Sequence, residues 1–190
     1  MITLYYHTAC KQFYARAIPI VLALDQAGAE YEIKEPSDAP PGIGFAIPMI
    51  TLESGKSLSQ TIAILMALGE QYGMLGKTDE ERYTCLQNIL DFNDIVGEIK
   101  GGNFVDKPER FEKWMGVVES RLTAKFFGGD EPSVADYYAV FLFVIVEGKI
   151  SYSYKDKFPK IAKWLSDIYE VPVVKKMKES GVSMAPPFKK

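Results

Sequence analysis

Cysteine, histidine and tryptophan are all scarce in this sequence. Its 190 residues include two cysteines, Cys10 and Cys85, two tryptophans and a single histidine, His7. Two cysteines do not form the disulfide framework of a small secreted protein, and reduced thiols fit a cytoplasmic location. A zinc site or a Ser-His-Asp triad would need His7 itself, so we expect neither a metal nor such a triad.

The sequence also has no large excess of charge of either sign and no long apolar run. The net charge is −3, and no basic stripe suited to phosphate backbones is present, so we do not expect nucleic acid as a partner. No apolar run approaches the roughly 20 residues that span a bilayer, so we expect no membrane association. The first residues, MITLYYHTACKQ, lack the basic start and apolar stretch of a secretory signal. These features predict a globular protein of the cytoplasm.

The first half of the chain alternates predicted strands with predicted helices. Sequence patterns predict strands at 2–6, 30–34, 48–52 and 57–59 and helices at 12–27 and 60–71. Pro19, inside the first helix, is expected to be a first-turn residue or a kink. The stretch 35–44, rich in proline and glycine, is a predicted loop. The resulting order, β-α-β, loop, β-β-α, is that of the thioredoxin-like α/β fold.

From residue 79 onward every predicted element is a helix. The helical pattern occupies 79–100, 108–126, 133–148, 159–170 and 172–180, followed by an irregular tail. The segment 133–148 is almost wholly apolar, and at about 16 residues it is too short to cross a membrane, so we expect a buried central helix. The chain is thus predicted to divide into an α/β domain, 1–73, and an all-α domain, 79–190.

Three short motifs point to function. Ile47-Pro48 stands at the start of a strand, where proline predicts a turn or a cis peptide bond. Gln60-Thr61 opens a helix directly after a hairpin, and unpaired N–H groups at a helix start attract anions such as a carboxylate. Residues 133–136, SVAD, have the S-x-x-D spacing of a capping box. We interpret this box as structural.

Together these motifs resemble those of the cytosolic glutathione transferases. The family pattern has a strand ending in tyrosine, a proline after an aliphatic residue, a segment like ESGKSLSQTIAIL at 53–65 and a late S/T-x-A-D box. This sequence matches it in order over almost its full length. The resemblance is to tyrosine-type, sigma-like members, and it implies a thioredoxin-like glutathione-binding domain followed by a helical domain. It also implies a homodimer that transfers glutathione, its co-substrate, to a small apolar electrophile or uses glutathione to reduce a peroxide.

The resemblance places the catalytic hydroxyl at the end of the first strand. Only the thiolate of glutathione attacks an electrophile, and a hydrogen bond donated to the sulfur favours that charged form. Tyr6 is the expected donor, since Tyr5 points to the opposite face of the strand by alternation. Tyr14, near the first helix, is the alternative tyrosine. Cys10 is the alternative nucleophile, because a cysteine in this loop forms mixed disulfides with glutathione in some relatives.

The same resemblance implies further binding residues. Ile47 and Pro48 are expected to pair with the cysteinyl part of glutathione, and Gln60 and Thr61 to hold its γ-glutamyl carboxylate. Asp91 either reaches glutathione across a dimer or is a solvated acid on its helix. Three aromatic residues are expected either to line the apolar substrate site or to pack in the core: Phe13, Phe104 and Phe188.

The stretch before Pro48 departs from the family pattern. Members place a helix there that contributes glutathione contacts, often through a tryptophan and a lysine, whereas residues 35–46 are few and contain PPG. Lys34, at the strand end, is the residue left for that role. Two other interpretations therefore stay open. One is a non-catalytic relative with a structural or interaction role, and the other is a Cys10-dependent glutathione lyase or reductase.

Overall fold

The computed structural model describes residues 1–7, 14–104 and 107–180. Its strands are β1 (Ile2–Tyr5), β2 (Tyr31–Lys34), β3 (Met49–Thr51) and β4 (Ser57–Ser59). Its helices are α1 (Ile18–Gln26), α2 (Thr61–Tyr72), α3 (Asp79–Lys100), α4 (Pro108–Arg121), α5 (Val134–Lys149), α6 (Pro159–Tyr169) and α7 (Pro172–Glu179). Short 3-10 turns lie at Ala15–Ala17 and Pro36–Asp38.

The strands form one mixed sheet in the order β2-β1-β3-β4. β1 runs parallel to β2 and antiparallel to β3, and β4 returns antiparallel to β3. Alternation along the strands turns Ile2, Leu4 and Ile50 into the core, while Thr3 and Thr51 on the other face remain partly exposed. The sheet with α1 and α2, followed by helices alone, confirms the predicted architecture, a thioredoxin-like α/β half and an all-α half. The boundaries at 73 and 79 stay a prediction.

Two predicted helix ends are wrong. Instead of running from residue 12, α1 begins at Ile18 after the 3-10 turn, and Pro19 lies in its first turn, where proline is tolerated. Instead of reaching residue 126, α4 stops at Arg121. The chain after it is drawn into a turn, because the backbone N–H groups of Phe127 and Gly128 donate to a buried carboxylate on α5.

The predicted central helix is confirmed. In α5 every residue from Val134 to Val146 is buried, and both α1 and α3 pack against it. The two halves of the chain also meet at the start of α5, where the N–H of Val134 donates to the carbonyl of Met74 at 3.1 Å. None of the helices in the described ranges is long and apolar enough to cross a membrane.

The predicted capping box at residues 133–136 is also present. The Asp136 carboxylate is fully buried and accepts hydrogen bonds from the N–H and hydroxyl of Ser133, from the N–H groups of Phe127 and Gly128, and from the indole of Trp164, all at 2.8–3.0 Å. Burial raises the pKa of this carboxyl, while the hydrogen bonds act in the opposite direction. Asp136 thus ties the α4–α5 loop and α6 to the start of α5.

Candidate active site

One edge of the sheet gathers most of the residues predicted for glutathione. The strand register aligns Lys34, Tyr5, Met49 and Ser59 in a row across β2, β1, β3 and β4. Tyr6 follows the row on β1, the Ile47-Pro48 pair precedes it on β3, and the Gln60-Thr61 pair follows it on β4. The sheet pairing therefore brings together segments that are up to 55 residues apart in sequence.

Tyr6 and Tyr5 lie on opposite faces, as strand alternation predicts. The Tyr6 side chain is 7% exposed and packs with the core residues of the helix-covered face, and its N–H donates to the carbonyl of Lys34 at 2.9 Å. The Tyr5 hydroxyl lies on the other face and accepts a hydrogen bond from Thr51 Oγ1 at 3.4 Å. Tyr6 is thus the tyrosine directly after β1 that lies on the side of α1 and α2.

The Ile47-Pro48 peptide bond is cis, one of the two conformations that the sequence predicts. Pro48 is buried and Ile47 is half-buried. In the part of the chain that the structure describes, the N–H and carbonyl groups of Ile47 form no hydrogen bond. An extended peptide can therefore pair with this backbone as an added strand does.

The start of α2 has an unusual backbone. Gln60 adopts φ 72° and ψ 119°, a conformation that L-residues rarely adopt, and its exposed side chain does not cap the helix. Thr61 is buried, and its hydroxyl donates to the carbonyl of Arg16 at 3.2 Å. The first N–H groups of α2 have no acceptor within the helix, and the helix dipole places partial positive charge there. Strained residues of this kind gather at functional sites.

Two cations that sequence reasoning did not assign to the site interact with each other, and the backbone of one of them contacts the start of α2. Arg16 is half-buried beside Thr61, and Lys100 at the end of α3 is near enough for their charges to interact. Partial burial lowers the pKa of Lys100, and the charge of Arg16 lowers it further. Neither side chain has an ion pair with a residue that the structure describes. Their separation of 84 positions left no signal in the sequence.

The alternative tyrosine lies in a different environment. Tyr14 is half-buried before α1, and burial together with the charge of Asp25 raises its pKa. The same Asp25 accepts a hydrogen bond from the Tyr31 hydroxyl at 2.9 Å. The alternative nucleophile Cys10 and the aromatic residues Phe13 and Phe188 lie outside the described residues.

Asp91 and Phe104 lie within the helical half. Asp91 forms an ion pair with Arg121 at 2.5 Å and lines a cleft of about 270 Å³ between α3 and α4. Phe104 has no exposed surface and packs edge-on against Phe111 and Trp114, which is the core position given as its alternative. Within the described ranges, no three His, Cys, Asp or Glu side chains form a group that could hold a metal ion.

Comparison with known proteins gives one consistent family. The model of the glutathione S-transferase C-terminal domain matches residues 105–172. Human glutathione S-transferase A5 is 26% identical over 162 residues, covering 75% of this chain and 69% of that protein. Human glutathione S-transferase A1 is 25% identical over 192 residues, covering 87% of this chain and 84% of that protein.

Solved structures share the fold. A glutathione S-transferase from Ascaris lumbricoides superposes with a TM-score of 0.77 at 20% identity, covering 95% of this chain and 97% of that one. A Nu-class enzyme from Haemonchus contortus gives a TM-score of 0.77 at 21% identity, covering 100% and 98%. At this identity the likeness concerns the fold, and the sequence relatives and the family model carry the assignment. Together these matches support assignment to the cytosolic glutathione transferase family, which the sequence motifs also resemble.

Proposed function

We propose that this protein is a glutathione transferase that activates the thiol of bound glutathione for attack on an apolar electrophile or a peroxide. The observation that carries the proposal is the start of α2, where the strained, exposed Gln60 stands next to the cis-Pro48 segment. A polar amide, unpaired helix N–H groups and the Ile47 backbone lie side by side there, because Met49 pairs with Ser59. These are the groups that a γ-glutamyl carboxylate and the following cysteinyl amide would use.

These groups determine the proposed position of bound glutathione. Its γ-glutamyl carboxylate receives hydrogen bonds from the Gln60 amide and from the first N–H groups of α2. Its cysteinyl residue pairs with the backbone of Ile47. The hydroxyl of Thr61 holds the carbonyl of Arg16, so Thr61 contributes its backbone N–H and a fixed helix start.

The sulfur then lies near the end of β1, and Tyr6 is our choice for the donor. Its hydroxyl stabilises the thiolate by donating a hydrogen bond, which lowers the thiol pKa and increases the attacking species. Cys10, as a nucleophile that forms a mixed disulfide, and Tyr14, as a second donor, are the alternatives. The electrophile is proposed to be small and apolar.

We also propose a homodimer in the cytoplasm. Phe45 is fully exposed in the loop before cis-Pro48. Leu90 on α3 and Val117 on α4 are each 47% exposed, and Val117 lines the α3–α4 cleft. Contact between two copies would remove this apolar surface from water. Replacing Phe45 with Ala is expected to shift the mass measured by light scattering toward the monomer, and an unchanged dimer would exclude Phe45 from the interface.

Calorimetry with glutathione near neutral pH tests the binding site first. Binding in the micromolar to low millimolar range is expected, followed by conjugation of a generic aryl halide. Tyr6→Phe and Cys10→Ser then separate the transferase from the cysteine-dependent alternative. No heat at several millimolar glutathione would refute the proposal and favour a non-catalytic structural or interaction role, which the short 35–46 segment would explain.

A further inference from the structure

The chain between Glu35 and Gly55 contains no lysine or arginine. This stretch runs from the end of β2 through the 3-10 turn at Pro36–Asp38 to cis-Pro48 and the β3–β4 turn. The part that precedes β3 borders the candidate site at Ile47, whereas the β3–β4 turn lies at the opposite end of the strands. The charged residues of the whole stretch are all acids: Glu35, Asp38 and Glu53.

The order of strands sets the direction in which a bound γ-glutamyl tripeptide extends. With its γ-glutamyl end at Gln60, after β4, and its cysteinyl residue at Ile47, before β3, the third residue continues away from β4. It therefore points over β1 toward β2. The row from β4 to β2 spans about 14 Å at ordinary strand spacing, and an extended tripeptide spans about 10 Å. The glycyl carboxylate thus ends close to the segment that follows β2.

The charges at the end of β2 are unsuited to a carboxylate. Lys34 Nζ lies 2.8 Å from Glu32 Oε1, and this hydrogen bond, with a smaller contribution from Asp38, raises the pKa of Lys34. The ammonium is therefore already engaged. Asp38 is exposed and has no ion pair among the residues described. The imidazole of His7 lies next to another acid, since His7 Nδ1 is 3.9 Å from Glu35 Oε2.

We propose that this site favours γ-glutamyl thiols whose glycyl carboxyl is neutralised, as an amide or an ester, over free glutathione. The proposal rests on the glutathione site proposed above and names the class of thiol that the site takes. The acids after β2 repel the free carboxylate, whereas an amide or ester removes that repulsion and keeps the γ-glutamyl and cysteinyl contacts. The effect acts between partly solvated charges, so it weakens as salt is added.

The test compares two thiols on the full-length protein by calorimetry at low ionic strength. Glutathione and its glycyl monoethyl ester differ only in the carboxylate in question. We expect the ester to bind about threefold to tenfold more tightly, as repulsion from a nearby carboxylate in a mostly aqueous setting implies. The ratio should fall toward one in about 0.5 M salt, where the Debye length is only a few ångströms. Equal or tighter binding of glutathione would overturn the inference.

A matched pair of variants assigns the effect to the β2 end. Asp38→Lys introduces a cation beside the glycyl position and should reverse the preference toward glutathione. Glu53→Lys makes the same charge change on the exposed β3–β4 turn and should leave the ratio unchanged. If both variants shift the ratio equally, net charge explains the preference and the proposal fails. If neither thiol binds, the proposed function itself is refuted, and this inference falls with it.

Discussion

Gln60 allows a test of the proposed site, because its backbone conformation affects stability whereas its side chain is proposed to bind glutathione. A non-glycine residue held in a sparsely populated conformation costs about 1–3 kcal/mol. The Gln60 side chain is exposed and does not cap α2, so its removal takes little from the folded state. Gln60→Gly relieves the strain, and the greater freedom of glycine in the unfolded chain offsets about 0.5–1 kcal/mol of that gain. We therefore expect the free energy of unfolding to rise by about 0.5–2 kcal/mol.

Glutathione binding should change in the opposite direction. A hydrogen bond to a charged group contributes about 1.5–3 kcal/mol, so loss of the Gln60 amide should weaken binding by about ten- to hundredfold. Gln60→Ala is the matched control, because it loses the same amide but keeps a Cβ and hence the strain. The two variants should bind glutathione equally poorly, and only the glycine variant should be more stable.

Urea unfolding followed by tryptophan fluorescence measures the first effect, and calorimetry measures the second. The reasoning is refuted if Gln60→Gly is less stable than the unchanged protein, since the strain would then be absent. It is also refuted if either variant binds glutathione as well as the unchanged protein does. Equal stability of the glycine and alanine variants would likewise contradict the strain at this position.

Three further predictions concern the core and the proposed chemistry. Asp136→Asn should lower the free energy of unfolding measured in urea by about 3–5 kcal/mol, because at least two buried donors lose their acceptor. The control Asp130→Asn, in the loop before α5, should change it by less than about 0.5 kcal/mol. A similar loss in both variants would contradict the role of Asp136. Tyr6→Phe should lower kcat/KM for aryl-halide conjugation by about a hundredfold, because the thiolate loses its hydrogen-bond donor. Tyr5→Phe should leave kcat/KM unchanged, and the reverse outcome would assign the catalytic role to Tyr5. Burial raises the pKa of Cys85 from 9.0 to about 11. Because the thiol then ionises first in the unfolded chain, it contributes stability that is present below pH 9 and is lost as the pH rises toward 11. Cys85→Ala should make the decline of the unfolding free energy in that pH range less steep by up to about 1.4 kcal/mol per pH unit, and an unchanged slope would contradict this account.

Features with a local signal were predictable from the sequence. The succession of strands and helices along the chain, the cis or turn conformation of Pro48, the capping box at 133–136 and the buried helix α5 all arise from short-range patterns. Alternation assigned Tyr5 and Tyr6 to opposite faces, because the side-chain period of a strand is independent of its neighbours. The thioredoxin-like order of the first half followed from these elements alone.

Other features depend on contacts between distant parts of the chain. The end of α4 is set by Asp136, which binds the loop N–H groups from another helix, so helical periodicity up to residue 126 gave the wrong boundary. The sequence around Phe104 does not distinguish an aromatic residue that lines a cleft from one in the core. In the structure Phe104 is buried and packs against Phe111 and Trp114.

The candidate site divides in the same way. The amino-acid sequence by itself determined which polar and aromatic residues end the strands and begin α2, because these positions follow from local periodicity, turns and helix starts. Only the tertiary structure decided that Gln60 is strained, that Arg16 and Lys100 approach each other and that Glu32 engages Lys34. The physical reason is that backbone strain and electrostatic fields depend on distances across the fold, which sheet pairing and helix packing set and which sequence separation does not encode.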